Sequence, residues 1–360
     1  MALDLLGFAV GLVVLVGGAE ALIRGATRLA LSLGLPPLVV GLTIVAFGTS
    51  APELTVSIGA VLKGQTGLAL GNVVGSNIFN VLGVLGLAAL VTPLAVERQL
   101  IRQEVPVMIG AAVLVLLLSQ DGTLGWIDGA LLTTLMIGYT TFLVRQARGG
   151  GGSAVAPVSS ESSPEPSGGA TSSGRLRATL WLVAGLAGLA LGADTMVQAA
   201  VSIARHVGLD EVVIGLTVVA VGTSLPEVAS TVVAAARGQR DLAVGNVVGS
   251  CLFNLLGVLG PAALFAGRAG LEVPPAVQHF DLWVMLAALA ACLPIFFTGR
   301  EIARWEGALF LLYYAAYTAY LLLRAQAHDA LPAYSSVMIG FFVPMTVVTL
   351  VVAVSRRAAD

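Results

Sequence analysis

Residues 41–53 read GLTIVAFGTSAPE, and residues 215–227 read GLTVVAVGTSLPE. A second pair follows each of them: GNVVGSNIFNVLGVLG at 71–86 and GNVVGSCLFNLLGVLG at 245–260. The offset is 174 throughout with no gap, and 28 of 46 positions are identical between Gly41–Gly86 and Gly215–Gly260. Generic likeness between two apolar, Gly-rich helices would match Leu, Val, Ala and Gly only. Here Thr, Ser, Pro, Glu, Gln and Asn match as well, so the chain contains a repeat. The likeness extends upstream, where Gly18-Ala19-Glu20 aligns with Gly192-Ala193-Asp194. Downstream, at a slightly longer offset, Asp128-Gly129-Ala130-Leu131 resembles Glu306-Gly307-Ala308-Leu309.

The repeats sit in an apolar chain. Of 360 residues only 11% are charged and 57% are hydrophobic, with mean hydropathy +0.95 and 43 Gly. Soluble proteins carry about 25% charge. A disordered chain, a disulfide scaffold and an ordinary soluble enzyme are excluded. Net charge is −2 with scattered basic residues, which argues against a nucleic-acid partner. Cys251 and Cys292 lie in apolar runs; with three scattered His they make neither a structural disulfide nor a soft-metal site. The N-terminus lacks the positive region of a signal peptide and reads as the first span.

A helix needs about 20 apolar residues to cross the hydrocarbon core. Eleven candidates run near 3–24, 37–62, 68–92, 104–119, 123–145, 178–204, 211–236, 242–266, 281–298, 303–323 and 333–354, the fourth and ninth being short. With the N-terminus outside, 14 basic residues fall at cytoplasmic ends and 4 (Lys63, Arg205, Arg268, Arg324) at outer ends, as the positive-inside rule requires. Each repeat holds five spans. Five is odd, so the second copy enters the membrane from the opposite side. The expected fold is an all-α polytopic membrane protein with an inverted-topology 5+5 helix repeat and an additional C-terminal transmembrane helix. The expected segments are a first repeat at 1–146, a second at 178–323, and the extra helix within 324–360. Between the repeats, Gly149–Gly174 is rich in Gly, Ser and Pro, so 147–177 reads as a flexible cytoplasmic linker.

Each repeat sets one carboxylate deep in an apolar run: Glu53 and Glu227. A charge at mid-membrane costs roughly 2.5–3.5 kcal/mol or more. No Lys or Arg lies in the middle of either span, so a bound cation or a proton is the simple compensation. Pro52 and Pro226 follow Gly-Thr-Ser and should break the second and seventh helices, freeing carbonyls near Ala46, Thr49, Ala220 and Thr223. Asn72, Ser76 and Asn80 are spaced by four and share a helix face, as do Asn246, Ser250 and Asn254. Gly71, Gly75, Gly245 and Gly249 permit close helix approach. Carboxylate, carbonyl, hydroxyl and amide oxygens suit a hard cation, Ca²⁺ or Na⁺; Mg²⁺ fits less well because it dehydrates reluctantly. Two carboxylates balance one Ca²⁺, two Na⁺ or two protons, which is the logic of an antiporter. Glu20 and Asp194 either support the site or line a path, or Glu20 pairs with Arg24 one turn away. Asp128 and Glu306 open their spans as cap or interface residues.

The paired GTSxPE and GNVVGSxxFN segments resemble the α-repeats of the sodium/calcium exchanger family of calcium/cation antiporters, most closely its prokaryotic branch. The resemblance covers residues 1–323. It implies a ten-helix core with broken helices 2 and 7, four central ion sites, and alternating access by sliding of the first and sixth helices. By motif, Glu53 and Glu227 would bind Ca²⁺ and share in Na⁺ binding, with carbonyls of Thr49 and Thr223 completing the Ca²⁺ site. Ala46, Ser50, Ser76, Ala220, Ser224 and Ser250 would serve flanking Na⁺ sites, and Asn80 and Asn254 the middle one. Some relatives have an acid at one of those two positions; this chain has Asn at both. The eleventh span also departs from the ten-helix plan.

The reading is a Ca²⁺/Na⁺ antiporter of the plasma (inner) membrane, multi-pass, with the N-terminus outside and the C-terminus cytoplasmic. Its partners are inorganic cations and the bilayer; it takes no cofactor, and the sequence leaves the oligomeric state open, a monomer being plausible. The alternative on the same scaffold is Ca²⁺/H⁺ exchange. A cation channel is disfavoured by the inverted repeats, and an intramembrane acid-pair protease by the Thr-Ser-x-Pro setting of each acid.

Overall fold

The computed structural model describes residues 2–149, 172–206, 220–297, 299–326, 328–338, 340 and 345. Its helices are α1 (Ala2–Leu33), α2 (Pro37–Thr49), α3 (Ala51–Leu62), α4 (Thr66–Val91), α5 (Leu100–Asp121) and α6 (Trp126–Gly149). They are followed by α7 (Ser172–His206), α8 (Ala220–Gly222), α9 (Leu225–Ala236), α10 (Arg240–Ala269), α11 (Val277–Phe297), α12 (Arg304–Ala325) and α13 (Leu331–Val337). Elements α1–α6 have their repeat counterparts in α7–α12. Among the described residues eight helices are long and apolar enough to span a bilayer, and the bent pair α2–α3 makes a ninth. Residues 211–219 of the seventh expected span, most of the linker, and the end of the eleventh span lie outside the described residues.

Several boundaries differ from the sequence reading. The span expected at 3–24 runs on to Leu33, and the one at 178–204 begins at Ser172. Arg24 and Arg28 do not end α1, and Arg24 pairs with Glu20 along the helix. The stop comes at Gly34, whose φ of +64° is a left-handed conformation suited to glycine, ahead of Pro36-Pro37. The two short spans are full length: α5 opens with a π turn at Leu100–Glu104, and α11 with one at Val277–Asp281.

The packing is consistent with an inverted repeat. Helices α1 and α7 lie against each other antiparallel, backbone to backbone. A Cβ at Gly11 would come 2.8 Å from Met196 N, at Gly18 2.6 Å from Leu189 N, and at Gly25 2.5 Å from Leu182 N. Returning from α7, a Cβ at Gly185 would meet Leu22 N at 2.3 Å and one at Gly192 would meet Leu15 N at 2.5 Å. Glycine every seven residues keeps one bare stripe facing the partner. Two further contacts are reciprocal: Gly86 of α4 packs on Gly307 of α12, and Gly260 of α10 on Gly129 of α6.

Two short antiparallel ribbons close the ends. Strand β1 (Leu94–Ala95) pairs with β4 (Glu301–Ile302), and β2 (Thr123–Leu124) with β3 (Leu271–Glu272). Each ribbon joins one repeat to the other and ties two inter-helix turns to a common face. The buried core runs through the middle, where α4 and α10 lie.

Candidate functional site

The chain breaks where the prolines predict. At Ser50 the backbone leaves the helix (φ −87°, ψ 7°), α2 and α3 meet at 42°, and Ser224 repeats the conformation (φ −94°, ψ 10°). Pro52 and Pro226 occupy the first turn after the break, where a missing N–H costs least. Glu53 and Glu227 thus sit in the first turns of α3 and α9, fully buried near the positive ends of those helices. One expectation is corrected. The Ala46 carbonyl is not released, because it accepts the Ser50 N–H at 3.0 Å and lies 3.4 Å from the Thr49 hydroxyl. The residue deprived of its usual donor by Pro52 is Gly48, four positions earlier.

The two halves are cross-wired. Ser50 donates to Glu227 Oε1 at 3.0 Å, and Ser224 donates to Glu53 Oε1 at 3.0 Å. Each serine serves the other repeat's carboxylate. Ser76 adds a longer contact to Glu53 Oε1 at 3.4 Å and lies 3.4 Å from Ser224. Thr49 Oγ1 faces Asn246 Oδ1 and Ser250 Oγ, both at 3.3 Å. All these groups are buried.

Helices α4 and α10 close the site. Each carries a π turn, at Asn80–Leu85 and Phe253–Val258, so Asn80 and Asn254 lie at local widenings of their helices. Buried polar atoms are normally hydrogen-bonded. Among the described residues the buried side-chain atoms without such a partner are Glu53 Oε2, Glu227 Oε2, both amide atoms of Asn80 and of Asn254, and Asn77 Oδ1. Six of the seven come from two repeat-related pairs. This donor set of carboxylate and amide oxygens fits a hard cation.

Asn72 and Asn246 do different work. Asn72 Nδ2 donates to the Glu53 carbonyl at 3.3 Å and to Ser57 at 3.1 Å, while Asn246 Nδ2 donates to Ser230 and Thr231, both at 3.0 Å. They brace α3 and α9 against α4 and α10. Ala220 stands at the start of α8, and Thr223 lies in the break after it. Glu20 is away from this cluster, paired with Arg24 and with Arg237 of the α9–α10 turn. Asp194 accepts a hydrogen bond from Gln198 at 2.7 Å. Asp128 and Glu306 are caps: the Gly125 N–H donates to Asp128 Oδ2 and the Ala303 N–H to Glu306 Oε2, both at 2.8 Å.

Sequence reasoning missed a second pair of buried acids. Glu104 accepts from Gln99 and Gln103 at 2.9 Å each, and from the Tyr139 hydroxyl. Its counterpart Asp281 accepts from Tyr317 at 2.8 Å. Each stands at the end of a π turn opening α5 or α11. The signal was a repeat offset of 177 for the acids and 178 for the tyrosines, hidden by the change from 174.

The family described as sodium/calcium exchanger protein matches residues 3–145 and 177–323. The chain is 34% identical over 339 residues to the sodium/calcium exchanger MaX1 of Methanosarcina acetivorans, covering 86% of this chain and 96% of that one. It is 38% identical over 279 residues to the inner membrane protein YrbG of Escherichia coli, covering 77% and 83%. Among solved structures, the sodium-calcium exchanger NCX_Mj soaked with zero Na⁺ and Ca²⁺ superposes with a TM-score of 0.74 at 31% identity, over 89% of this chain and 99% of that one.

Proposed function

Since the chain belongs to the sodium/calcium exchanger family, a family of membrane cation antiporters rather than enzymes, we propose that it exchanges Ca²⁺ for Na⁺ at the Glu53–Glu227 site. The observation that carries this reading is the set of orphaned oxygens. Glu53 Oε2, Glu227 Oε2 and the Asn80 and Asn254 amide oxygens are buried, have no hydrogen-bond partner among the described residues, and come from equivalent positions of the two repeats. In this reading Ca²⁺ is the substrate of the two carboxylates, with the Thr49 and Thr223 carbonyls beside them. Na⁺ takes positions near Ala46, Ser50, Ser76, Ala220, Ser224 and Ser250 and shares the carboxylates. The N-terminus lies outside and 147–177 links the repeats in the cytoplasm, as the charge asymmetry of the turns supports.

The serine cross-wiring suits such a site. Each serine hydroxyl holds one carboxylate oxygen and leaves the second for an ion, so an emptied or exchanged load does not dismantle the cage. Ca²⁺/H⁺ exchange would use the same carboxylates as proton carriers.

The test is Ca²⁺ uptake into proteoliposomes loaded with Na⁺, set beside vesicles carrying only a pH gradient. Uptake driven by Na⁺ and lost in Glu53→Gln is expected. Uptake driven only by the proton gradient would transfer the protein to Ca²⁺/H⁺ exchange, and no uptake under either gradient would sink both readings.

A further inference from the structure

The repeats are alike in sequence but not in how α1 and α7 sit on them. Helix α1 packs along α9, and α9 also touches α7. The counterpart α3 has no comparable packing with α1 or α7 among the described residues. The difference shows residue by residue. Ala229 and Ser230 of α9 are buried, whereas their equivalents on α3, Thr55 and Val56, are exposed.

Polar contacts mark the closed side. Glu20 of α1 is ion-paired with Arg237 in the α9–α10 turn, and Thr27 Oγ1 donates to Gln239 Oε1 in the same turn at 3.1 Å. Shifted by the repeat offset of 174, Glu20 becomes Asp194, Arg237 becomes Lys63, and Gln239 becomes Gln65. Acid and base recur with their signs kept. In this structure the second pair is apart: Asp194 is exposed and held by Gln198 of its own helix, and Lys63 is exposed in the α3–α4 turn. Among the described residues neither has an ion-pair partner. The two turns lie at opposite faces. Strand β1 packs on α10 just beyond the Arg237 turn, while Thr66, three residues after Lys63, accepts the Glu272 N–H of β3 at 3.2 Å.

We propose that Glu20–Arg237 and Asp194–Lys63 are alternating ionic latches, one at each face, of which this structure shows the first closed and the second open. An inverted repeat reaches its opposite state when the two halves exchange conformations. That exchange would carry Asp194 to Lys63 and draw Glu20 from Arg237. The latches are unequal. Val201 replaces Thr27 and has no hydroxyl for Gln65, so the second latch lacks the extra hydrogen bond. The face of the Arg237 turn is therefore the one held shut at rest. The proposal rests on the alternating-access reading of the fold and not on which ion is carried.

Disulfide trapping tests it in membrane vesicles of the full chain. A protease site is placed within 150–171, and cysteine pairs are introduced as Glu20→Cys with Arg237→Cys, or Lys63→Cys with Asp194→Cys. Each pair straddles the cut, so a disulfide keeps the halves together on a non-reducing gel. Native Cys251 and Cys292 both follow the cut and are buried, and single-cysteine chains control for stray links. Both pairs are expected to cross-link, directly or through a short bifunctional thiol reagent that replaces the reach of the original long side chains. Adding Glu20→Gln is expected to speed the Lys63–Asp194 link severalfold by shifting the population towards the second state. Absence of either link, or a Lys63–Asp194 rate unmoved by Glu20→Gln, overturns the proposal. The gel reads without transport, so failure here is distinguishable from failure of the Ca²⁺ reading. Should a cysteine pair fail to fold, charge exchange replaces it. Asp194→Lys is expected to slow exchange at least tenfold, with Lys63→Asp restoring it in the double variant; absence of rescue overturns the proposal equally.

Discussion

Helices α3 and α9 come from the same repeat motif, begin at the same Pro-Glu pair and end in the same Gly-Gln turn, yet one flank is open and the other is covered. At Val56 the side chain is 39% exposed; at its equivalent Ser230 it is 2% exposed. The residues differ as well, Thr55-Val56 against Ala229-Ser230, so the small residues lie on the side where α1 packs. The lesson is that duplication supplies two equivalent surfaces while a single α1–α7 pair can cover only one fully. Asymmetry of state follows from symmetry of sequence.

The strongest way to break the comparison is at the carboxylates. Glu53→Gln and Glu227→Gln should each reduce cation exchange by a hundredfold or more without loss of folded protein, read by flux and by thermal unfolding of the same preparation. Equal loss at both positions treats the site as one unit; a large effect at only one would show that the repeats do unequal work. Next is the glycine seam. Gly185→Leu drives a side chain into the Leu22 backbone, where even a Cβ would lie at 2.3 Å. Overpacking of this kind costs about 1–3 kcal/mol or more. The folded yield should collapse, whereas Gly59→Leu, which has open space around it, should be tolerated.

A finer probe reads the flanks directly. Val56→Cys should react with a water-soluble thiol reagent at least tenfold faster than Ser230→Cys, and equal rates would erase the open side. The smallest expected effect concerns Glu97, in the turn before α5. Half-burial, and then the neighbouring Asp241 charge, raise its carboxyl above the ordinary range. A carboxyl raised on folding favours the protonated form, so the native state loses stability as pH climbs from the unfolded value through the folded one. Glu97→Gln should therefore raise the unfolding temperature slightly near pH 7. The gain should fade by about pH 3, below the ordinary glutamate range, where the wild-type carboxyl is protonated in both states.

The duplicated segments made the repeat and the broken helix around Ser50 readable, because Pro, Gly and buried acids act locally on the backbone. The orphaned pairs Glu53–Glu227 and Asn80–Asn254 were legible for the same reason: each is a polar residue without an apolar excuse. The exchange of serines between the halves was not. Ser50 lies three residues from Glu53, and only the crossing of α2–α3 with α8–α9 hands it to Glu227. The seam of Gly11, Gly18 and Gly25 has its period in plain view, but its partner lies more than 150 residues away on α7. Glu104 and Asp281 escaped notice because an insertion between the repeats shifts their offset, and because Tyr139 and Tyr317, which satisfy them, look like ordinary span residues.

The neutrality of Asn80 and Asn254 bears on the electrical work of transport. If the proposed site is right, with two carboxylates as its acids, one divalent or two monovalent cations leave it without net charge, and the potential across the bilayer then does no work on the loaded form. A third monovalent ion would leave one positive charge. Carrying that charge across the full potential involves about 2.3 kcal/mol per 100 mV. An acid in place of Asn80 or Asn254 would reverse this ledger, making the three-ion load neutral and the divalent load negative. Voltage dependence of the flux thus reads the ion count through two amide side chains.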